Sequence, residues 1–449
     1  MALSGMQKAG WGLADMGIVT FVVVKQLLVL AFLTNYLGVP IATAGLLTTG
    51  ILLFDIITDP IIGSRSDRTE SRFGRRAPWM FWGAVVMSAG MILIFAVPDG
   101  LSSTTNMIWV AGAFALATIG FTMCAIPYGA MAGEMTQDPK ERSGMTAWRM
   151  GFASIGILIG GALIPQLAGS TKEGHFFAAV LVTPLIIGAI WLSLLMTRKA
   201  PRIDTPTQHT IARLISIVLT NKTFVTLTIL YGIMTLAIAV ITAGLPFAAL
   251  YLILDNGQTV LSGAASGLGV LSLMFACFVV GSILSQALWV FASNRLGKSG
   301  ALVFGLCLYI VLLFVLFFNL PNVNVTTIAG LFVLAGFTNG AYQQIPWAMY
   351  PDLMDVTRKE TGDAIEGAFS AVWLFGQKVA NAIAPLVLAL ILGMFNWQET
   401  TEGKVEQTEE AIEALRVSIT IVPAGILALA IAGLLIVYRP RARKILAQA

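Results

Sequence analysis

Apolar runs of about 20 residues recur from Trp11 to Tyr438, separated by short segments rich in Arg, Lys and Gly. A helix rising about 1.5 Å per residue crosses the roughly 30 Å hydrocarbon layer of a bilayer with such a run. The pattern predicts twelve spans, at 11–37, 41–63, 77–98, 106–132, 145–168, 176–197, 223–254, 261–292, 300–320, 325–350, 367–395 and 417–438. Barrel strands would be about half as long and strictly alternating, and a lone strand would leave its backbone groups unsatisfied in lipid. The expected fold class is therefore an all-α membrane protein. The polar stretch 198–222, with a short interfacial helix predicted over 211–219, separates a six-helix set at 1–197 from another at 223–449. The loop after the second span, Gly63-Ser64-Arg65-Ser66-Asp67-Arg68 and then Arg72-Phe73-Gly74-Arg75-Arg76, has a shorter echo in Asn294-Arg295-Leu296-Gly297-Lys298. That echo implies duplication into two pseudo-symmetric bundles, an architecture that rocks around a solute site near the midplane.

Composition sharpens this picture. With 57% hydrophobic and 11% charged residues and a mean hydropathy of +0.84, no soluble domain is left over. If the N-terminus is inside, 21 of the 27 Lys and Arg fall in cytoplasmic segments, three outside (Lys172, Lys404, Arg416) and three within spans (Lys25, Arg149, Lys378). Positive residues stay on the cytoplasmic side, so both termini are expected there. The net charge of +4 follows from that loop bias and requires no nucleic-acid partner. Cys124, Cys277 and Cys307 all lie in predicted spans without metal-ligand spacing and read as small core residues. His175 and His209 fall in predicted loops and read as solvated, and the acidic stretch Glu399 to Glu413 as an exposed loop. No nucleophile–base pair or metal cluster lines the spans, which argues against an enzyme and against a cofactor. A monomer in a lipid bilayer is expected.

The candidate chemistry is the set of charges inside spans. Asp55 and Asp59 lie four residues apart in one apolar run, hence on one helix face. A charge at bilayer depth costs about 2.5 to 3.5 kcal/mol on insertion scales, so two acids in register suggest a cation site. Lys25 sits at the middle of the first span, where two readings stand: an anion-binding lysine, or an ion pair with Asp55 or Asp59 that changes the cation requirement. Asp15 lies near the cytoplasmic end of that span and is either solvated or part of a binding site. Arg149 can snorkel to a gate or reach substrate. Tyr128, Trp148, Gln343, Gln344, Trp347, Trp373 and Asn381 can hydrogen-bond and stack on a sugar, or simply bridge helices. On the cytoplasmic side Glu134, Asp352, Asp355 and Glu366 face basic loops with Arg72, Arg75, Arg76 and Arg142, and ion pairs between the halves would form an inner gate.

Together, the run Asp55-Ile56-Ile57-Thr58-Asp59-Pro60 with Gly63, the turn Gly74-Arg75-Arg76-Ala77-Pro78-Trp79, Thr122 with Ile126-Pro127-Tyr128, Gly133-Glu134, Arg149, Tyr350-Pro351-Asp352-Leu353-Met354-Asp355, Glu366-Gly367 and Lys378 resemble one family. It is that of the melibiose permease-like glycoside-pentoside-hexuronide:cation symporters of the major facilitator superfamily. The resemblance implies twelve helices in two bundles and alternating-access symport, driven by Na⁺ or H⁺, of a sugar, glycoside or anionic sugar such as a uronide. It assigns the cation to Asp55, Asp59 and Thr122 and the coupling to Lys378. The substrate set is Lys25, Arg149, Tyr128, Gln343, Gln344, Trp347 and Trp373, and the gate comprises Arg75, Arg76, Glu134, Arg142, Asp352, Asp355 and Glu366. The sequence departs from the family where helices I and IV carry sugar-reading acids, since Val19 and Ala125 stand there. With Lys25 gained, this favours an anionic solute. The alternatives are an amphiphile such as a lysolipid, and a non-transporting receptor or assembly factor on the same fold.

Overall fold

The computed structural model describes residues 3–136, 138–201, 211–361 and 366–446. Twelve helices among them are long and apolar enough to cross a membrane. They are α1 (Gly5–Leu27), α2 (Ile41–Asp67), α3 (Ala77–Phe95), α4 (Ser103–Met135), α5 (Gly144–Ala168), α6 (Lys172–Met196), α7 (Lys222–Tyr251), α8 (Val270–Leu296), α9 (Lys298–Asn319), α10 (Val325–Lys359), α11 (Ala368–Met394) and α12 (Glu409–Ile445). Polar side chains fix their starts by accepting from backbone N–H groups that no helical carbonyl reaches. Ser4 forms a capping box with Gln7, Ser102 accepts from Thr105, Thr171 from Gly174 and Asn221 from Phe224.

Helix ends differ from the predicted spans where helices leave the apolar layer. α2 continues to Asp67 and α10 runs through Pro346 and Pro351 to Lys359. Hydropathy reports immersion, whereas the helix persists as long as its backbone bonds do. The first span is instead broken, with α1 ending at Leu27 and a short helix resuming at Val29–Tyr36. The eighth is broken at Gly269, whose φ of 80° separates Ser262–Leu268 from α8.

The chain folds as two compact units, Met1–Pro206 with Asn396–Gln407, and Thr207–Phe395 with Thr408–Ala449. The division falls inside the predicted 198–222 loop, and the Ile211–Thr220 helix begins the second unit. The segment between α11 and α12, however, packs with the first unit. Gly38 N–H donates to Thr400 O at 3.1 Å, Thr400 N–H to Thr34 O at 3.0 Å and Gly403 N–H to Asn35 O at 2.8 Å. The acid-rich stretch is also not wholly loop, because Thr408 caps α12 and places Glu409 and Glu410 in its first turn, where the helix dipole favours them.

Small residues bring helices together in each unit. A Cβ on Gly120 of α4 would meet the Met87 backbone of α3, and one on Gly336 of α10 would meet the Phe278 carbonyl of α8. Cys124 is buried, as a core residue should be, but Cys307 is exposed on α9. His175 is likewise corrected: it lies in the first turn of α6, buried, with Nδ1 2.7 Å from Thr171 O. Its ring is 4.7 Å from Tyr36, 5.3 Å from Phe32 and 5.7 Å from Phe95. His209 lies outside the described residues.

Candidate functional site

Buried positions on α2 include Thr48, Leu52, Asp55, Thr58 and Ile62, a spacing that gives one inward face. Asp55 sits in its middle with its side chain 4% exposed. Thr122 of α4 donates to Asp55 Oδ1 at 2.8 Å, and Lys25 Nζ of α1 lies 3.4 Å from Oδ2. Thr58 donates to the Asp55 carbonyl at 2.9 Å and lies 3.3 Å from the Thr122 hydroxyl. The Lys25 ammonium also rests over Phe121 at 4.1 Å and Phe21 at 5.7 Å, a buried cation–π arrangement. Asp59 follows one turn along and is half-buried. The structure thus joins Asp55 and Thr122 as the motif implies and adds Lys25 to them. Lys25, only 5% exposed, faces Asp55 in the ion pair that was one of its two readings.

A second pair lies on α1 and α5. Asp15 is interior, not solvated, and accepts from Arg149 Nε at 2.9 Å. A Cβ on Gly12 would meet the Trp148 and Arg149 backbone, so glycine permits the close approach of α1 to α5 that makes this pair. The guanidinium stands 5.6 Å from the Tyr128 ring and 6.0 Å from that of Trp11. Trp11 stacks on Tyr128 at 4.8 Å and donates Nε1 to its carbonyl at 3.2 Å. The Tyr128 hydroxyl is buried with no hydrogen-bond partner among the described residues. Trp11 was not in the predicted site, and Asp15 was left open between solvent and a binding site. Asp15 had a signal, a carboxylate inside an apolar run, but Trp11 had none beyond its type.

The second unit carries an aromatic cluster. Trp373 of α11 stacks on Tyr231 of α7 at 4.2 Å and on Tyr350 of α10 at 5.1 Å, with Trp347 edge-on at 6.1 Å. Trp347 Nε1 donates to the Tyr231 hydroxyl at 3.1 Å, and the Thr235 and Tyr342 hydroxyls are 2.8 Å apart. The Trp373 indole N–H and Gln344 Oε1 are buried without a partner among the described residues. Gln343 instead accepts from Ser282 of α8 at 3.0 Å, which makes it a bridge between helices. Trp347 and Trp373 come together as expected, while Tyr231 and Tyr342 were missed. Lys378 is half-buried on α11.

The predicted gate residues find partners within their own units. The positive φ of Gly74, 87°, turns the chain so that Arg75 and Arg76 precede α3 beside the end of α4. Both donate Nε to Glu134 Oε1, at 3.0 and 2.9 Å, and Arg76 also pairs with Asp67 and donates to Ser66 at 2.7 Å. Arg142 donates to Thr136 O at 3.2 Å. Asp352 accepts from Lys298 at 2.6 Å, and Asp355 pairs with Arg358 at 3.4 Å. The Glu366 side chain lies outside the described residues.

Among the described residues, twelve membrane-length helices, with buried charges in the first unit and a buried aromatic cluster in the second, suit a membrane transporter, and comparison with known proteins agrees. Residues 5–440 match the model of the family described as MFS/sugar transport protein. The chain belongs to that family. It is therefore a multi-pass transporter with the major facilitator fold and not an enzyme. The inner membrane symporter YicJ of Escherichia coli (strain K12) is 24% identical over 426 residues, covering 94% of this chain and 89% of that protein. The glucuronide carrier protein homolog of the same strain is 24% identical over 443 residues, covering 95% and 91%. Among solved structures, a bacterial homologue of the human drug peptide transporters PepT1 and PepT2 matches with a TM-score of 0.68 at 13% identity, over 99% of this chain and 100% of that one. At that identity the likeness is one of fold.

Proposed function

We propose that this protein is a secondary symporter that uses a monovalent cation gradient to move a sugar or glycoside across a cell inner membrane by alternating access. The observation that carries the proposal is Asp55, a carboxylate 4% exposed in the middle of a membrane helix. Its two oxygens are held by a hydroxyl and an ammonium from two other helices. A buried ion pair stabilises a fold poorly compared with apolar side chains, so a function for the charge is the better account of it. The relatives named as an inner membrane symporter and a glucuronide carrier homolog support the transport class.

The solute class rests on the polar and aromatic groups. In the first unit the Tyr128 hydroxyl, and in the second unit the Trp373 N–H and Gln344 Oε1, are buried polar groups of the kind that hydrogen-bond sugar hydroxyls. Both cations of the first unit that could meet a uronide carboxylate, Lys25 and Arg149, already face Asp55 and Asp15. The reading therefore favours a neutral sugar or glycoside over an anionic one. Lys378 on α11 is the proposed coupling group, and the Arg75–Arg76–Glu134 cluster part of the proposed cytoplasmic gate.

The test is uptake by proteoliposomes with imposed proton or Na⁺ gradients, using a panel of labelled glycosides and their uronides. Accumulation of a sugar above equilibrium, abolished by an ionophore for the driving cation, supports the proposal. Gradient-independent equilibration, or movement of lysolipid but no sugar, overturns it.

A further inference from the structure

Asp55, Asp59 and Thr122 carry the motif that the family resemblance links to a coupling cation, Na⁺ or H⁺, yet a cation of the protein's own stands against Asp55. Lys25 Nζ is 3.4 Å from Oδ2, while Oδ1 is occupied by the Thr122 hydroxyl at 2.8 Å. Both side chains of the pair are about as buried as the core itself, at 5% and 4% exposure. On another side the ammonium meets the Phe121 ring at 4.1 Å, a partner for a positive charge but not an oxygen ligand for an alkali ion. Na⁺ or Li⁺ entering here would stand within a few ångströms of a buried positive charge that already faces Asp55, and the two cations would repel each other. Displacing the lysine is costly, because its stem is rooted in the middle of α1 and its buried charge would lose the Asp55 carboxylate it now faces.

We propose that Lys25 is a built-in cation that takes the place of the metal ion at Asp55, so that this transporter neither binds nor requires Na⁺ or Li⁺. Lys25 is thus the residue that determines cation specificity. The inference deepens the symporter reading given above, and of the two candidate coupling cations it leaves H⁺. It also defines a latent site: without the ammonium, Asp55, Thr122 and the neighbouring Asp59 become an oxygen-rich pocket with unbalanced negative charge.

Binding is tested apart from transport, on the purified full-length protein in detergent. Thermal unfolding and tryptophan fluorescence are followed as NaCl or LiCl replaces choline chloride at constant ionic strength. The parent is expected to respond no differently to the three salts. Lys25→Ala, and Lys25→Met as the variant that keeps the side-chain volume, are expected to melt lower in choline and to regain stability saturably with Na⁺ or Li⁺, as a ligand that binds only the folded state must produce. Adding Asp55→Asn to either variant should abolish that response. A saturable Na⁺-specific or Li⁺-specific shift in the parent overturns the proposal whatever the variants do, and so does a folded Lys25 variant indifferent to both ions. In proteoliposomes the parent should accumulate its sugar equally well in Na⁺ and in choline. Failure to accumulate any sugar would refute the symporter reading, while the binding measurement would still decide the role of Lys25.

Discussion

Arg149 and Asp15 form an ion pair between α5 and α1, Nε to Oδ2 at 2.9 Å, with 40% of the arginine side chain but only 4% of the aspartate exposed. The asymmetry matters because removing the arginine strands a carboxylate that cannot reach water. Arg149→Gln should cost about 2 to 3 kcal/mol, below the roughly 3 to 5 kcal/mol for breaking a fully buried pair, since solvent screens the outer partner. Asp15→Asn in the same chain should recover most of that loss. Unfolding in detergent gives the double-mutant cycle, and strictly additive effects would mean that the two side chains do not act as a pair.

Thr122 offers a cleaner test of how Asp55 is held. Thr122→Val keeps the shape of the side chain but removes the donor at 2.8 Å from Oδ1, whereas Thr122→Ser keeps the donor. A hydrogen bond to a charged group contributes about 1.5 to 3 kcal/mol, so the valine variant should melt lower and the serine variant stay near the parent. Uptake should follow the same order. Equal behaviour of the two variants would remove the hydroxyl from the account.

These variants bear on what was legible in the sequence. The twelve spans could be read directly because bilayer thickness imposes a length on every crossing helix, and the Asp55–Thr122 contact followed from a recognisable motif. The partner of Lys25 could not be chosen, since the sequence fixes its depth on α1 but not which neighbour that face of α1 meets. Asp15 was ambiguous for a related reason: hydropathy places it near the end of a span, and only the close approach permitted by Gly12 makes that place interior. His175 was misread because Lys172 and Glu173 make its surroundings polar in sequence, while one turn of helix points its ring at Phe32, Tyr36 and Phe95. The hold of Thr400 and Gly403 on the first unit runs through backbone groups, which composition does not reveal.

Packing of α3 on α4 depends on Gly120, where any side chain would run into the Met87 backbone. Gly120→Ala should destabilise by about 1 to 3 kcal/mol, the cost of forcing an extra methyl into a filled interior. Gly129, nine residues further along the same helix, has open space where its Cβ would stand. Gly129→Ala should be neutral or slightly stabilising in the same melting assay, because alanine is the better helix former. Similar losses at both positions would point to helix flexibility as the requirement instead of close approach.

Trp373 separates packing from recognition in the second unit. Its ring is fully buried between Tyr231 and Tyr350, but its N–H has no acceptor among the described residues. Trp373→Ala should cost about 3 to 5 kcal/mol, as large aromatic truncations in a core do. Trp373→Phe keeps an aromatic face against both tyrosines, so its stability loss should be only about 1 kcal/mol, mostly from the smaller volume. If the sugar supplies the missing acceptor, the phenylalanine variant loses one hydrogen bond of about 0.5 to 1.5 kcal/mol, which reads as a rise in half-saturating sugar concentration of roughly two- to tenfold. Maximal uptake should change little, because the cation site is untouched. A phenylalanine variant with parental sugar affinity would mean that Trp373 serves the aromatic core alone, and the search for the sugar contacts would move to the Tyr128 hydroxyl.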